Sequence, residues 1–362
     1  MALTINEIAR LANVSAATVS RVFSGKGYVS EETRKKIIKI SNEKNFKPKQ
    51  YKVKERSEFC STVGVVIPDI CNNYYMEVIH GFESVMNGHG VDVLICNTDE
   101  DPQKEIRCLS MLRRLPIEGI IAVPVSDAEK YNADYLIEMN NSDIPVVLLD
   151  RDLRSANIDG VFMDNFNSAY QSIQTFIDNG HTDIAIISGP ETSTSGLARL
   201  NGYISALEAN HIPVRQEYVL QGDFKFELAY ELTKKLIGKK TDVTAIFASN
   251  SRMAMGCLLA LAECRISIPE DMAFISCGKL GVEYGCISSV EYPTSSIGAE
   301  CAKILLEKMQ TKKVPRSKPK RRITFDMELI LRGSEVFPTN KIKRKGLQDD
   351  RINKYLRRNV PK

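Results

Sequence analysis

The residues with the sharpest chemical purpose lie close to the N-terminus. From Asn13 the chain reads Asn-Val-Ser-Ala-Ala-Thr-Val-Ser-Arg-Val. A short helix from Ala16 to Phe23, opened by Ser15, would present small and hydroxyl side chains with one arginine. That set suits the major groove of DNA. Small side chains approach the groove floor, alanine methyls meet thymine methyls, and Arg21 reaches guanine O6 and N7 or a phosphate. The hydroxyls of Ser15, Thr18 and Ser20 are donors for phosphate oxygens. Ala16, Ala17 and Arg21 are therefore the candidate base readers, with Thr4 and Tyr28 as further DNA-facing candidates. The same pattern also fits an ordinary helical hairpin.

Three helices are expected to hold this segment. Thr4 and Glu7 form a capping-box pattern that opens a helix from Ile5 to Leu11. Asn13 sits in the turn that follows, where asparagine tolerates positive φ. Ser30 caps a third helix with acidic residues first and lysines later, as the helix dipole favours. Ile8, Leu11, Val19, Val22, Ile37, Ile38 and Ile40 are the expected core of a headpiece spanning residues 1–47. Residues 48–61 are polar, without a strong period, and read as a linker.

From residue 62 the pattern changes. Apolar runs at 62–68, 91–97, 119–124, 145–150, 160–164, 183–189, 245–250 and 272–277 alternate with amphipathic helical stretches. Short, uniformly apolar strands between helices predict parallel, doubly wound sheets. Eight such strands suit two α/β lobes, with a ligand cleft near the C-terminal strand ends.

Charge is distributed unevenly. The total is +4, but residues 1–60 carry 13 basic against 6 acidic side chains, and residues 336–362 carry 9 against 2. The middle is correspondingly acidic. A basic end on an acidic body suits a polyanion partner there; a solvated basic face fits equally well. No basic segment followed by an apolar run marks an export signal, and no apolar stretch is long enough to span a membrane. Nine cysteines, none in a CxxC spacing, read as reduced, mostly buried thiols of a cytoplasmic protein. Four scattered histidines give no metal-ligand spacing, and no metal or cofactor is expected. No convergent nucleophile–base set is visible, which argues against an enzyme. The Gly25-Lys26-Gly27 and Gly189–Gly196 segments do not have P-loop spacing.

The segment from Ile5 to Ile37 resembles the DNA-binding headpiece of the lac repressor/GalR family almost throughout. Asn13 stands for the family's usual glycine, and Phe23-Ser24 for Leu-Asn. The resemblance continues to about residue 335, through IPDICNNYYMEVIHGFE, LLDRDL, MDNFNSAY, GHTDIAIISG, ARLNGYISALEA, FASNSRMAMGCLLAL and IPEDMAFISC in the family's order. It implies an all-α helix-turn-helix headpiece and an α/β, periplasmic-binding-protein-like body of two doubly wound lobes. Lobe crossings are expected near 161, 292 and 323, so one lobe takes about 62–160 and 293–322 and the other about 161–292 and 323–335. It further implies a nucleoid-associated homodimer on double-stranded operator DNA, probing a carbohydrate or related catabolic operon as regulator, most often repressor.

Two departures stand out. The family's hinge inserts a leucine into the minor groove, and such a wedge kinks the base step. Ungapped alignment puts Glu55 there, so either Val53 or Tyr51 substitutes in a shifted helix or the protein bends DNA little. In the cleft, Asp150, Arg199 and Asn250 match the family's effector ligands, and Tyr74 and Tyr75 are its expected aromatics. Ser251 and Gly278 replace two aspartates, with Lys279 adjacent. The effector class is therefore left between sugar-like and anionic, with a partner protein as the alternative signal. The basic tail at 336–362 is read as a solvated extension or a contact for DNA or a partner.

Overall fold

A computed structural model describes residues 4–24, 29–43, 61–126, 134–142, 144–153, 156–239, 241–281, 284–311 and 320–338. The chain divides into two compact units, residues 1–60 and 61–362.

The first unit holds α1 (Ile5–Ala12), α2 (Ala16–Ser24) and α3 (Glu31–Glu43). The capping box forms: Thr4 N donates to Glu7 Oε2 at 2.6 Å, and Glu7 N donates back to Thr4 Oγ1. Asn13 closes α1 at φ 54 and ψ 48, the left-handed cap that asparagine tolerates. Ser15 Oγ accepts from Thr18 N at 3.1 Å and so opens α2. The core is smaller than expected. Ile8, Val19, Val22 and Ile37 are buried, but Leu11 and Ile38 lie exposed. Ala9 and Ala12 take inward positions in the same cluster.

The second unit contains two six-stranded sheets built on one plan. The first orders its strands β2 (Val91–Asn97), β1 (Ser61–Ile67), β3 (Gly119–Ala122), β4 (Val146–Leu149), β5 (Asp159–Met163) and β11 (Arg322–Phe325), all parallel. The second orders β7 (Val219–Gln221), β6 (Ile184–Ser188), β8 (Ala245–Ala248), β9 (Ala273–Cys277), β10 (Ser288–Glu291) and β12 (Glu328–Ile330). Only β12 runs antiparallel, against β10. Each sheet reverses its strand order once, between β1 and β3 and between β6 and β8. Such switch points leave a crevice at the C-terminal strand ends.

The central strands are buried along their whole length, which is why they read as continuous Val/Ile/Leu/Ala runs. Helices cover both faces of each sheet. α4 (Asn73–Gly88) packs on α11 (Thr294–Gln310), and a Cβ at Gly298 would fall 2.1 Å from the Val78 carbonyl oxygen. α9 (Phe226–Gly238) and α10 (Ser251–Glu263) meet in the same way at Gly256, where a Cβ would fall 2.3 Å from Phe226 O.

Two expected boundaries move. β5 and β11 belong in full to the first sheet, paired Arg322↔Gly160 through Phe325↔Met163. The crossings therefore fall after Met163 and Phe325, and not at 161 and 323, because the parallel ladder holds both strands to their ends. The third crossing lies at Tyr292, between β10 and α11. The expected tail also begins later than 336. Ser334 Oγ donates to Phe274 O at 2.6 Å, and Phe337 packs on the buried His181 ring, so the body extends at least to Pro338. Residues 339–362 lie outside the described residues.

Candidate functional site

Within the headpiece, α2 divides by face. Val19 and Val22 point into the core, while Ala17 and Arg21 are exposed and Ala16, Thr18 and Ser20 are half-buried. Ala16 packs against the small core in part, so it is less available to a groove than Ala17. Ser15 is exposed, but its hydroxyl is engaged with Thr18 Oγ1 at 2.8 Å. Thr4 is likewise occupied by its capping box. Tyr28, Val53, Tyr51 and Glu55 lie outside the described residues.

The body gathers Tyr74, Tyr75, Asp150, Arg199, Asn250 and Gly278 around one open cleft. The expected six thus share a cavity, although they come from five separate segments. Every segment follows a strand end: β1, β4, β6, β8 and β9. That is where a doubly wound sheet leaves backbone polar groups and loops free to face a ligand.

The loops holding these residues are conformationally unusual. Asp150 adopts φ 63, Asp99 φ 52, Glu100 φ 57 and Phe224 φ 59. Positive φ is a strained choice for Glu and Phe, and such strain concentrates at binding sites. Gly278 sits at φ 112, a conformation that only glycine adopts comfortably, which accounts for the missing aspartate at that position.

Asp150 is buried, and its Oδ2 accepts from the Tyr75 hydroxyl at 2.9 Å. Its Oδ1 is buried with no hydrogen-bond partner. An unsatisfied buried acceptor is costly, of order 1–3 kcal/mol. Burial, followed by the Asp150 charge, pushes the Tyr75 phenol well above its ordinary pKa, so it stays a donor. Tyr74 meets Tyr75 edge-on at 5.1 Å and Tyr292 at 5.2 Å, building an aromatic wall.

Arg199 behaves differently from the expected oxygen fork. It is buried, and its guanidinium donates to Asn165 Oδ1 at 2.9 Å, Ser249 O at 2.6 Å and Tyr292 OH at 3.2 Å. Burial works against its charge, but Cys277, Tyr292 and Asp150 around it keep its pKa above the ordinary arginine value. The hydrogen-bonding capacity of Arg199 is thus largely spent inside the protein. Asn250 Oδ1 is also committed, accepting from Met253 N at 2.7 Å as the cap of α10.

Several lining residues escaped the sequence reading. Arg151 forms a two-pronged pair with Glu100 at 2.6 and 2.8 Å, donates to Val125 O, and lies over the Phe224 ring. Arg252 faces Asp69 across the cleft at 3.3 Å, and Ser251 Oγ reaches Asn72 Oδ1 at 3.4 Å. Phe224 and Phe226 add apolar walls. The available signal was positional: each follows a strand end. Lys279, expected beside the site, is exposed and does not line the cleft. The φ 112 turn at Gly278 is what separates the two positions. Among the described residues, no cluster of His, Cys, Asp and Glu could hold a metal ion, and no helix is long and apolar enough to cross a membrane.

A three-helix unit with an exposed groove-sized helix, followed by two like-ordered lobes around a polar cleft, defines a ligand-responsive DNA-binding regulator. Residues 4–49 match the bacterial regulatory proteins of the lacI family, and residues 60–326 match the periplasmic binding proteins and sugar binding domain of the LacI family. The chain belongs to the LacI family of DNA-binding transcriptional regulators. It is 30% identical over 321 residues to catabolite control protein A of Priestia megaterium, covering 88% of this chain and 96% of that one. It is 29% identical over 334 residues to the transcriptional repressor PurR of Actinobacillus pleuropneumoniae serotype 3 (strain JL03), covering 91% and 98%. The fold matches the transcriptional regulator CelR in its cellobiose complex at TM-score 0.67 and 23% identity, covering 92% of this chain and 99% of that chain.

Proposed function

We propose that this regulator acts in the cytoplasm as a homodimeric repressor whose effector is a neutral, hydroxyl-rich, sugar-like molecule held between the lobes. The observation that carries the effector class is the buried, unpartnered Oδ1 of Asp150. A ligand that brings a hydroxyl donor satisfies it; a carboxylate or phosphate would repel it. The anionic reading rested on the two acceptors lost at Ser251 and Gly278, with Lys279 nearby; Lys279 stands away from the cleft, and the buried Arg199 is already engaged. The tyrosine wall suits the apolar face of a sugar ring. Two relatives in name, a catabolite control protein and a repressor, and a cellobiose-bound structural neighbour support the same reading.

On DNA, Ala17 and Arg21 are the base readers of this proposal, with Ala16, Ser15, Thr18 and Ser20 in supporting contacts. Paired headpieces would read half-sites one helical turn apart, so the operator is palindromic. The cleft controls DNA binding because the ligand favours one lobe arrangement over another. The test is titration calorimetry of the full chain against neutral and acidic sugars, with Asp150→Asn in parallel. Binding of neutral sugars that Asp150→Asn weakens supports the proposal. Binding confined to acidic sugars, or unchanged by Asp150→Asn, overturns it.

A further inference from the structure

The chain turns charged as soon as β4 ends: Leu149 is followed by Asp150, Arg151 and Asp152. Neighbours in a strand face opposite ways. The left-handed backbone of Asp150, at φ 63, breaks that alternation, and Asp150 and Arg151 both line the cleft. They are 7% and 2% exposed, so neither can turn to bulk water for a partner. Each nevertheless keeps one polar atom unpaired: Oδ1 of Asp150 and Nε of Arg151.

The other bonds of these two side chains explain what is left open. Asp150 Oδ2 accepts from the Tyr75 hydroxyl at 2.9 Å. Arg151 meets Glu100 end-on: Nη1 donates to Oε2 at 2.8 Å and Nη2 to Oε1 at 2.6 Å. Nη1 also donates to Val125 O at 3.0 Å. Glu100 stands in the turn between β2 and α5 (Pro102–Leu112), and it supplies the negative charge that the buried guanidinium needs. End-on pairing uses the two terminal nitrogens and spares Nε, the fifth donor of the group. Phe224, which follows β7 in the opposite lobe, covers the guanidinium at 5.1 Å and offers Nε no acceptor. A buried donor and a buried acceptor are thus left unmade on adjacent residues, which is costly unless a ligand meets both.

We infer that Arg151 Nε and Asp150 Oδ1 form one subsite that reads a vicinal diol: one hydroxyl donates to Oδ1, and the adjacent hydroxyl accepts from the Nε–H. The inference rests on the reading of the effector as neutral and hydroxyl-rich, and it narrows that reading to ligands with two neighbouring hydroxyls. A single hydroxyl meets only one of the two open atoms. A carboxylate suits the arginine edge but is repelled by Asp150, and Glu100 already balances the arginine charge. Arg151 therefore contacts the effector directly, whereas the guanidinium of Arg199 is largely spent on Asn165, Ser249 and Tyr292.

The experiment titrates the full-length protein calorimetrically with glucose, galactose, mannose, ribose and cellobiose, and with glucuronate and uracil as acidic and planar-amide probes. The sugar that binds most tightly is then compared with its monodeoxy derivatives. Removing either of two adjacent hydroxyls should weaken binding roughly tenfold or more, and removing any other should matter much less. In Arg151→Lys the penalty at one of those two positions should largely disappear while the other persists; Asp150→Asn should shrink the other. A purely structural role for Arg151 would weaken every derivative alike and leave both penalties in place, which overturns the inference. Sensitivity at a single hydroxyl, or at two that are not adjacent, also overturns it while the neutral-effector reading stands. Binding of glucuronate or uracil alone, or of none of the sugars, overturns both. The wild-type deoxy series tests the adjacent pair even if Arg151→Lys folds poorly.

Discussion

The headpiece and the cleft expose their chemistry in opposite ways. In the headpiece, one nine-residue helix carries the proposed reading side chains, and two of them face solvent: Ala17 and Arg21 are exposed, while Val19 and Val22 anchor the helix from behind. In the cleft, charged groups are buried and come from several segments far apart in sequence. Arg199, Asp150, Arg151 and Glu100 make most of their hydrogen bonds within the protein. The first arrangement is a surface waiting for a charged polymer. The second is a prearranged network that still leaves groups such as Asp150 Oδ1 and Arg151 Nε without a hydrogen-bond partner.

That difference can be broken first at Arg21. If the headpiece reads DNA through exposed side chains, Arg21→Ala removes one groove contact. A good bidentate contact is worth about 1–3 kcal/mol. A dimer loses it twice, so specific affinity should fall by roughly 10²–10⁴. Non-specific binding at the same salt should change much less. Selection from a genomic fragment library, with and without the substitution, measures this directly. Unchanged enrichment of palindromic sites would remove Arg21 from the reading surface.

The next effect tests the cleft. Asp150→Asn keeps the shape and the Tyr75 contact but replaces the charged acceptor. Hydrogen bonds to charged groups contribute about 1.5–3 kcal/mol, so effector affinity should fall roughly 10- to 100-fold. DNA binding without effector should stay the same, since the substitution does not touch the headpiece. Calorimetry for the effector and a filter or anisotropy assay for DNA separate the two. Loss of both activities together would mean that Asp150 serves the fold and not the ligand.

The contrast also explains how far the sequence could be read. Helix caps and turns are local, so Thr4, Glu7, Asn13 and Ser15 were legible and the three helices followed from them. Leu11 and Ile38 were misplaced because helical spacing alone does not choose between a leucine or isoleucine and a neighbouring alanine for an inward position; Ala9 and Ala12 are buried instead. In the body, the fully buried strands were visible as apolar runs. The edge strands β7, β11 and β12 were missed, since half-exposed strands of three or four residues carry too little pattern. The six cleft residues were reachable by resemblance, but the Arg151–Glu100 pair was not, because its partners are 51 residues apart and meet only through the strand order.

A smaller effect probes the wall behind the cleft. Glu105, on α5, is buried, and its carboxyl is pushed up to about 8. Burial is the main cause; the neighbouring Glu100 charge adds to it, while Val125's backbone and Arg151 oppose it. A raised folded pKa means that the native state holds the proton more tightly than the unfolded chain. The contribution is fully present below the unfolded value near 4.5 and is lost as pH rises through about 8. Thermal stability of the full chain should therefore fall between pH 5 and 8, and Glu105→Gln should flatten that slope. An unchanged slope in the variant would exclude Glu105 as its source.

The smallest effect returns to the headpiece and carries the opposite sign. Glu7 accepts from the Thr4 backbone and hydroxyl, and these bonds hold its carboxyl below the usual range. Here the unfolded chain binds the proton more tightly. The stabilisation is present above the unfolded pKa near 4.5 and is lost as pH falls through the lower folded value. Amide exchange at the start of α1, in the full chain, should be slow at neutral pH and speed up on acidification. Losing an N-cap costs about 1 kcal/mol, so Thr4→Ala should raise that exchange roughly fivefold at neutral pH but only weaken its acid dependence, because the backbone N–H at position 4 still donates to Glu7. Because the cap lies outside the groove-facing side of α2, operator affinity should drop only as far as the first helix frays. A loss as large as that of Arg21→Ala would instead place Thr4 in contact with DNA, and would show that a capping hydroxyl can serve the phosphate and the helix at once.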